Sequence, residues 1–201
     1  MSPMSTARPD SRPSRTRSRP RSRISLEGVT EVALALADRE GLEAVSLTAV
    51  AEALGVGPSA LYTHVDGLEG LRYTVAVAAT HGLTETVRDA AVGVAGDEAV
   101  YSLGTAYRGF AHEHPGQYAS TLLPPRSSDD ELARASRGLL DVIARVFRLS
   151  GLDEEASRSA ATATRSALHG FLALEFAAGP GRDHDRHFRD LLTVLVRGIA
   201  A

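Results

Sequence analysis

The chain has 201 residues, 43% of them hydrophobic, and carries 22 basic against 25 acidic side chains for a net charge of −3. That is enough for one good core with a small satellite unit, while the absence of cysteine excludes disulfides, thiolate metal sites and a cysteine nucleophile and fits a reducing compartment. No apolar run approaches the roughly 20 residues of a membrane span and no apolar segment follows the charged N-terminus, so the expectation is a soluble, cytoplasmic protein without a secretory signal.

Residues 1–23 hold Arg8, Arg12, Arg15, Arg17, Arg19, Arg21 and Arg23 against one acid, Asp10, a net of +6 that leaves −9 for the remainder. A Ser-, Pro- and Arg-rich stretch with almost nothing apolar cannot offset its ordering entropy, and it is expected to be a disordered arm. A basic arm on an acidic body points to a polyanion partner for the arm. From Ser25 the pattern changes. Ser25 caps a first helix whose Leu26, Val29, Ala33 and Leu36 follow helical spacing, and Gly41 ends it. Ser46 caps a second, short helix over 47–54; the Gly55-Val56-Gly57 turn then leads to Pro58, a favoured first residue for a third helix over 58–64.

Longer helical patterns follow over 68–91, with Leu71, Val75 and Leu83 on one face, and over 97–114, with Val100, Leu103, Tyr107 and Phe110, until Pro115 interrupts. Another spans 129–149 with Leu132, Leu139, Ile143 and Val146, and another 153–178 with small Ala160, Ala163 and Ala167. After Gly179-Pro180-Gly181 the last helix carries Phe188, Leu191, Leu192, Leu195, Val196 and Ile199. No strand alternation competes and no repeat is visible. The prediction is an all-α fold of about nine helices: the arm over 1–23, a small helical unit over 24–70, and a larger helical body over 71–201.

The stretch 46–71, SLTAVAEALGVGPSALYTHVDGLEGL, reads as two short helices joined by a glycine-bearing turn. A single helix can enter the major groove, so the first helix packs, through Leu47, Val50, Ala51 and Leu54, to hold the second outward. Ser46-Leu47-Thr48, Ala51, Leu54-Gly55-Val56, Leu61-Tyr62, His64-Val65 and Leu71 strongly resemble the tetracycline-repressor (TetR) family of bacterial transcription regulators over roughly 24–72. A further echo, Ala167-Leu168-His169-Gly170-Phe171 with Leu174-Glu175, resembles a Trp-His-Gly motif of one subgroup's ligand domain, with Leu168 in place of tryptophan.

The resemblance implies that Thr48 contacts DNA at the start of the second helix and that Pro58, Ser59, Ala60, Tyr62, Thr63 and His64 form the presented surface. Ser59, Thr63 and His64 suit base edges or phosphates, Ala60 a thymine methyl and the Tyr62 hydroxyl a phosphate oxygen. Tyr62 packed on the first helix pair and His64 as a plain helix-end histidine are the alternatives. Many relatives carry a phosphate-gripping lysine where this chain reads Asp66-Gly67-Leu68. The DNA-arm residues Arg15, Arg17, Arg19, Arg21 and Arg23 are expected to replace it, along the phosphates or in the minor groove.

The resemblance also implies that 24–70 is a helix-turn-helix DNA-binding domain and 71–201 a ligand-binding and dimerisation domain, with a homodimer on palindromic double-stranded operator DNA and a small-molecule effector, most commonly one that releases a repressor. Small residues on the 153–178 helix and the apolar stripe on the last suit a four-helix interface, with closure of the chain's own core by both helices as the alternative. Tyr107, Phe110, His114, Tyr118, Phe147, Arg165, His169 and Phe171 are the candidate ligand-binding residues, against a core role for the aromatics. Arg165 and His169, one turn apart, suit an acidic ligand. No catalytic residue, cofactor or metal ligand is expected. A metal-dependent enzyme built on His112 with His114 or His184 with His187, and a non-specific nucleic-acid binder acting through the arm, are the rivals.

Overall fold

A computed structural model describes residues 24–181 and 183–199. Among these residues there are eight α-helices, two 3₁₀ segments and no strand. Helix α1 (Leu26–Glu40) starts where the Ser25 hydroxyl accepts the Gly28 N–H at 3.1 Å, and it ends at Gly41, whose φ of 89° only glycine adopts freely. After a 3₁₀ turn (Leu42–Ala44) comes α2 (Leu47–Ala53), capped by the Ser46 hydroxyl on Ala49 N–H at 3.2 Å.

The third element differs from the α-helix expected: Pro58–Thr63 winds as a 3₁₀ segment. Its bonds run from Ala60 N–H to Gly57 O at 2.9 Å and from His64 N–H to Leu61 O at 2.8 Å, three residues apart. The Thr63 hydroxyl also bonds Ala60 O, at 3.0 Å. Helix α3 (Gly67–Ala90) is 24 residues and therefore about 36 Å long.

Pro115 departs from expectation as well. It ends α4 (Gly96–Glu113), yet it also opens α5 (Pro115–Ser120), because a residue lacking N–H is tolerated at a first helical position. Asp130 and Asp153 cap α6 (Glu131–Leu149) and α7 (Glu154–Ala178) on the N–H groups of Ala133 and Ala156, and α8 (His184–Ile199) closes the chain. No helix among the described residues is long and apolar enough to cross a membrane.

Two main apolar clusters organise these elements. The first joins Val29, Ala33 and Leu36 of α1, Val50 and Ala51 of α2, Leu61 of the 3₁₀ segment, and Leu71 and Val75 of α3. The second gathers Leu83 and Val87 of α3 with Leu103, Tyr107, Ile143, Phe147, Leu168, Leu172, Phe188 and Leu192 of α4 and α6–α8. Helix α3 runs through both, so it is the beam on which head and body are mounted. Helices α1 and α5 meet as a second junction, where Gly116 lies directly on the Ala37 backbone.

Candidate nucleic-acid interface and ligand node

Burial divides the 3₁₀ segment sharply. Leu61 is fully buried and Val65 nearly so, anchoring the segment to α1, α2 and α3, whereas Tyr62 between them is 62% exposed. Pro58, Ser59 and Thr63 are exposed, Ala60 and His64 are half-buried, and Thr48 is exposed on the first turn of α2. Anchors on one side and hydroxyls on the other make a short displayed rod, with Tyr62 standing in solvent away from the first helix pair.

Fixed positive charge is scarce beside it. Arg72 is tied to Glu43 at 3.1 Å, and Arg39 bonds Glu40 at 2.9 Å. The arm residues Arg15, Arg17, Arg19, Arg21 and Arg23 lie outside the described residues. Their point of attachment does not: Ile24 packs, partly buried, against the head cluster.

In the body, four of the candidate ligand residues converge. The Tyr118 hydroxyl of α5 and His169 Nδ1 of α7 are hydrogen-bonded at 2.8 Å, and the Tyr107 ring of α4 meets Tyr118 edge-on at 6.0 Å. Burial pushes the Tyr107 hydroxyl pKa up, opposed by the Arg165 charge, and burial together with Tyr107 raises that of Tyr118 far above the usual phenol range. Both are therefore neutral donors at any physiological pH. Among the described residues the buried Tyr107 hydroxyl and the Thr164 hydroxyl have no hydrogen-bond partner, which is costly unless a bound group supplies one.

The other four candidates sit apart from this node. Phe110 stacks near His114 at 5.1 Å, and His114 Nδ1 donates to Asp38 Oδ2 of α1 at 2.8 Å, so that pair faces the head. Phe147 is sealed in the body core, and Phe171 lies against Phe188 at 5.2 Å beside α8.

Two polar networks escaped sequence reasoning. Asp38 accepts the Gln117 backbone N–H at 2.9 Å and its side-chain amide at 2.7 Å, in addition to His114. Glu175, 6% exposed, accepts Nε–H and Nη2–H along one edge of the Arg108 guanidinium and Nε2–H of His112 at 3.1 Å, while Arg108 Nη1 donates to Asp185 at 2.8 Å. His112 and His114 thus serve different acids, and His184 Nε2 bonds Gly179 O at 3.1 Å. Among the described residues no three His, Cys, Asp or Glu side chains are grouped as a metal site would require.

An all-helical body behind a head that displays a short rod beyond a packed helix defines a helix-turn-helix regulator. Residues 29–71 match the family model of bacterial regulatory proteins, tetR family, and residues 100–195 match that of the tetracyclin repressor-like C-terminal domain. The HTH-type transcriptional regulator Rv0681 of Mycobacterium tuberculosis is 36% identical over 179 residues, spanning 88% of this chain and 82% of that protein. Among solved structures, ActR of Streptomyces coelicolor in complex with (S)-DNPA superimposes with a TM-score of 0.69 at 19% identity, covering 89% and 98% of the two chains. BioQ with its double-stranded DNA operator gives 0.65 at 20% identity, covering 88% and 98%. The chain belongs to the tetR family of bacterial DNA-binding transcriptional regulators.

Proposed function

We propose that this regulator is a cytoplasmic repressor that binds a palindromic operator as a homodimer and leaves it when a small effector occupies the body. The arm covers 1–23, the DNA-binding head 24–70 and the ligand-binding and dimerisation body 71–201. The observation that carries the reading is the division of the 3₁₀ segment, with Leu61 buried and Tyr62 turned to solvent. Thr48, Pro58, Ser59, Ala60, Tyr62, Thr63 and His64 form the DNA surface. BioQ, whose fold this chain shares, is a precedent for operator binding, and ActR is one for a small ligand.

Replacing Tyr62 by alanine tests the assignment. A lost hydrogen bond to a charged phosphate corresponds to about 1.5–3 kcal/mol, so operator affinity falls by roughly 10- to 100-fold. Melting temperature stays within about 2 °C, because Tyr62 is exposed. Unchanged affinity in an electrophoretic shift assay contradicts the assignment.

The arginine arm takes the place of the missing phosphate-gripping lysine. Deleting residues 1–21 lowers the slope of log affinity against log salt by about 0.9 for each phosphate that the arm neutralises. An unaltered slope removes the arm from the interface.

Release follows from where α5 stands. On one side its Tyr118 enters the node with Tyr107, Arg165 and His169; on the other its Gln117 grips Asp38 of the head. The unpartnered Tyr107 hydroxyl and the Arg165 charge supply donors to an acidic effector. An effector that moves α5 shifts α1, and the two heads of the dimer then no longer match major grooves about 34–36 Å apart. Several kcal/mol of preference for the shifted state are required. On α7 and α8, Leu174 at 74% and Val194 at 66% exposure are the apolar groups a second copy would cover.

A further inference from the structure

At the end of the body farthest from the head, the last turn of α3, the turn leading to α4 and the C-terminal half of α6 enclose a cavity of about 360 Å³. It shares no residue with the Tyr107–Tyr118–His169 node. Its walls are aliphatic, chiefly Ala91, Val94, Ala99, Val142, Val146 and Leu149, and its lining residues include no acid and no aromatic. The charged groups among them are two arginines, Arg88 of α3 and Arg145 of α6. Both are exposed at the mouth of the cavity, and among the described residues neither is in an ion pair.

We infer that this cavity is a second ligand site, taking a single-chain aliphatic amphiphile with one anionic head. The aliphatic walls accept the alkyl chain, since moving it out of water is favourable in proportion to the area covered. The two guanidiniums, one on each wall, meet the head with charge-assisted and bidentate hydrogen bonds that a hydroxyl or an ammonium cannot match. The volume lies near the lower end of small-molecule sites, about 300–1,000 Å³, which suits one medium-length chain. The reading of the Tyr107 node as an effector site is not needed for this one. Occupancy would join α3 to α6 at the far end of the beam that carries the head.

Isothermal titration of the full chain with sodium octanoate tests it, with hexanoate, decanoate, octanol and octylamine as comparisons. Octanoate binds saturably at one site per chain, and affinity rises about fourfold per methylene from hexanoate to octanoate. Octanol and octylamine bind at least tenfold more weakly. The double variant Arg88→Gln/Arg145→Gln brings octanoate down to the level of octanol and leaves octanol unchanged. Ala95→Phe, a substitution at an exposed lining residue, weakens both. His169→Gln at the node leaves octanoate binding intact.

Absence of saturable octanoate binding overturns the proposal, as does a double variant that binds octanoate as tightly as the parent. If His169→Gln abolishes binding while the arginine variant does not, the ligand sits at the node, and the second site is refuted without touching the node's own role.

Discussion

Substituting alanine for Gly116 lowers the melting temperature by about 5–20 °C and loosens the head from the body. A Cβ there would overlap the Ala37 carbonyl carbon and oxygen and come within 2.8 Å of the Asp38 amide nitrogen. These are backbone atoms and cannot rotate away, so α1 and α5 must separate. Overpacking of this kind costs about 1–3 kcal/mol. Separation also breaks the bonds from His114 and Gln117 to Asp38, which are hydrogen bonds to a charged group and contribute about 1.5–3 kcal/mol. For a chain of this size each kcal/mol corresponds to about 2–4 °C. Thermal denaturation followed by circular dichroism measures the shift, and a melting point within about 2 °C of the parent contradicts the junction as described.

Removing the Arg108 side chain has the second large effect, for a different reason. Glu175 is almost wholly buried and is neutralised chiefly by Arg108. Arg108→Ala leaves that carboxylate with His112, and breaking a buried pair by deleting one partner costs about 3–5 kcal/mol. The lower figure applies, because the Arg108 side chain is still 18% exposed. The loss also removes a guanidinium lying 4.9 Å from the Phe188 ring centre, which helps seat α8 on α4.

The same pair sets a pH dependence. Burial alone would push the Glu175 carboxyl up, but hydrogen bonds from Arg108 and His112 outweigh it and hold the group below its ordinary value of 4.5. A carboxyl depressed in the folded state contributes its full stability above the unfolded value, and that contribution is lost as pH falls through the folded one. The parent therefore loses this stabilisation below about pH 4.5. In Arg108→Ala burial dominates and the sign reverses, so the stability gap between variant and parent narrows as pH is lowered from about 7 to about 4. Urea titrations across that range check it; a constant gap contradicts the assignment.

The head was readable because its signals are local. Ser25 and Ser46 cap within three residues of themselves, Gly41 ends α1 at positive φ, and Val29, Ala33 and Leu36 mark one face. Over six residues, however, spacings of three and four cannot be told apart, so the 3₁₀ winding of Pro58–Thr63 was not legible. Pro115 reads as a stop from sequence alone, since its role as the first residue of α5 depends on where α1 waits to receive it.

The body was legible in part. Tyr107, Tyr118, Arg165 and His169 are recognisable as residue types, but Tyr118 and His169 are 51 positions apart and only packing joins them. Phe147 and Phe171 had the same composition to recommend them and belong to other parts of the core. The Asp38 cluster spans 76 positions to His114, and Glu175, though it closes the Trp-His-Gly echo, finds its partner Arg108 67 positions away on another helix. Nothing periodic marks either one.

A rod Pro58–Thr63 displayed by two copies of the chain should discriminate one duplex from others. Competition binding at physiological salt measures it most directly, using an inverted repeat from the DNA beside the coding region against random duplex of equal length. We predict a preference of about 10³ or more for the repeat. Equal affinity for both duplexes would contradict the account.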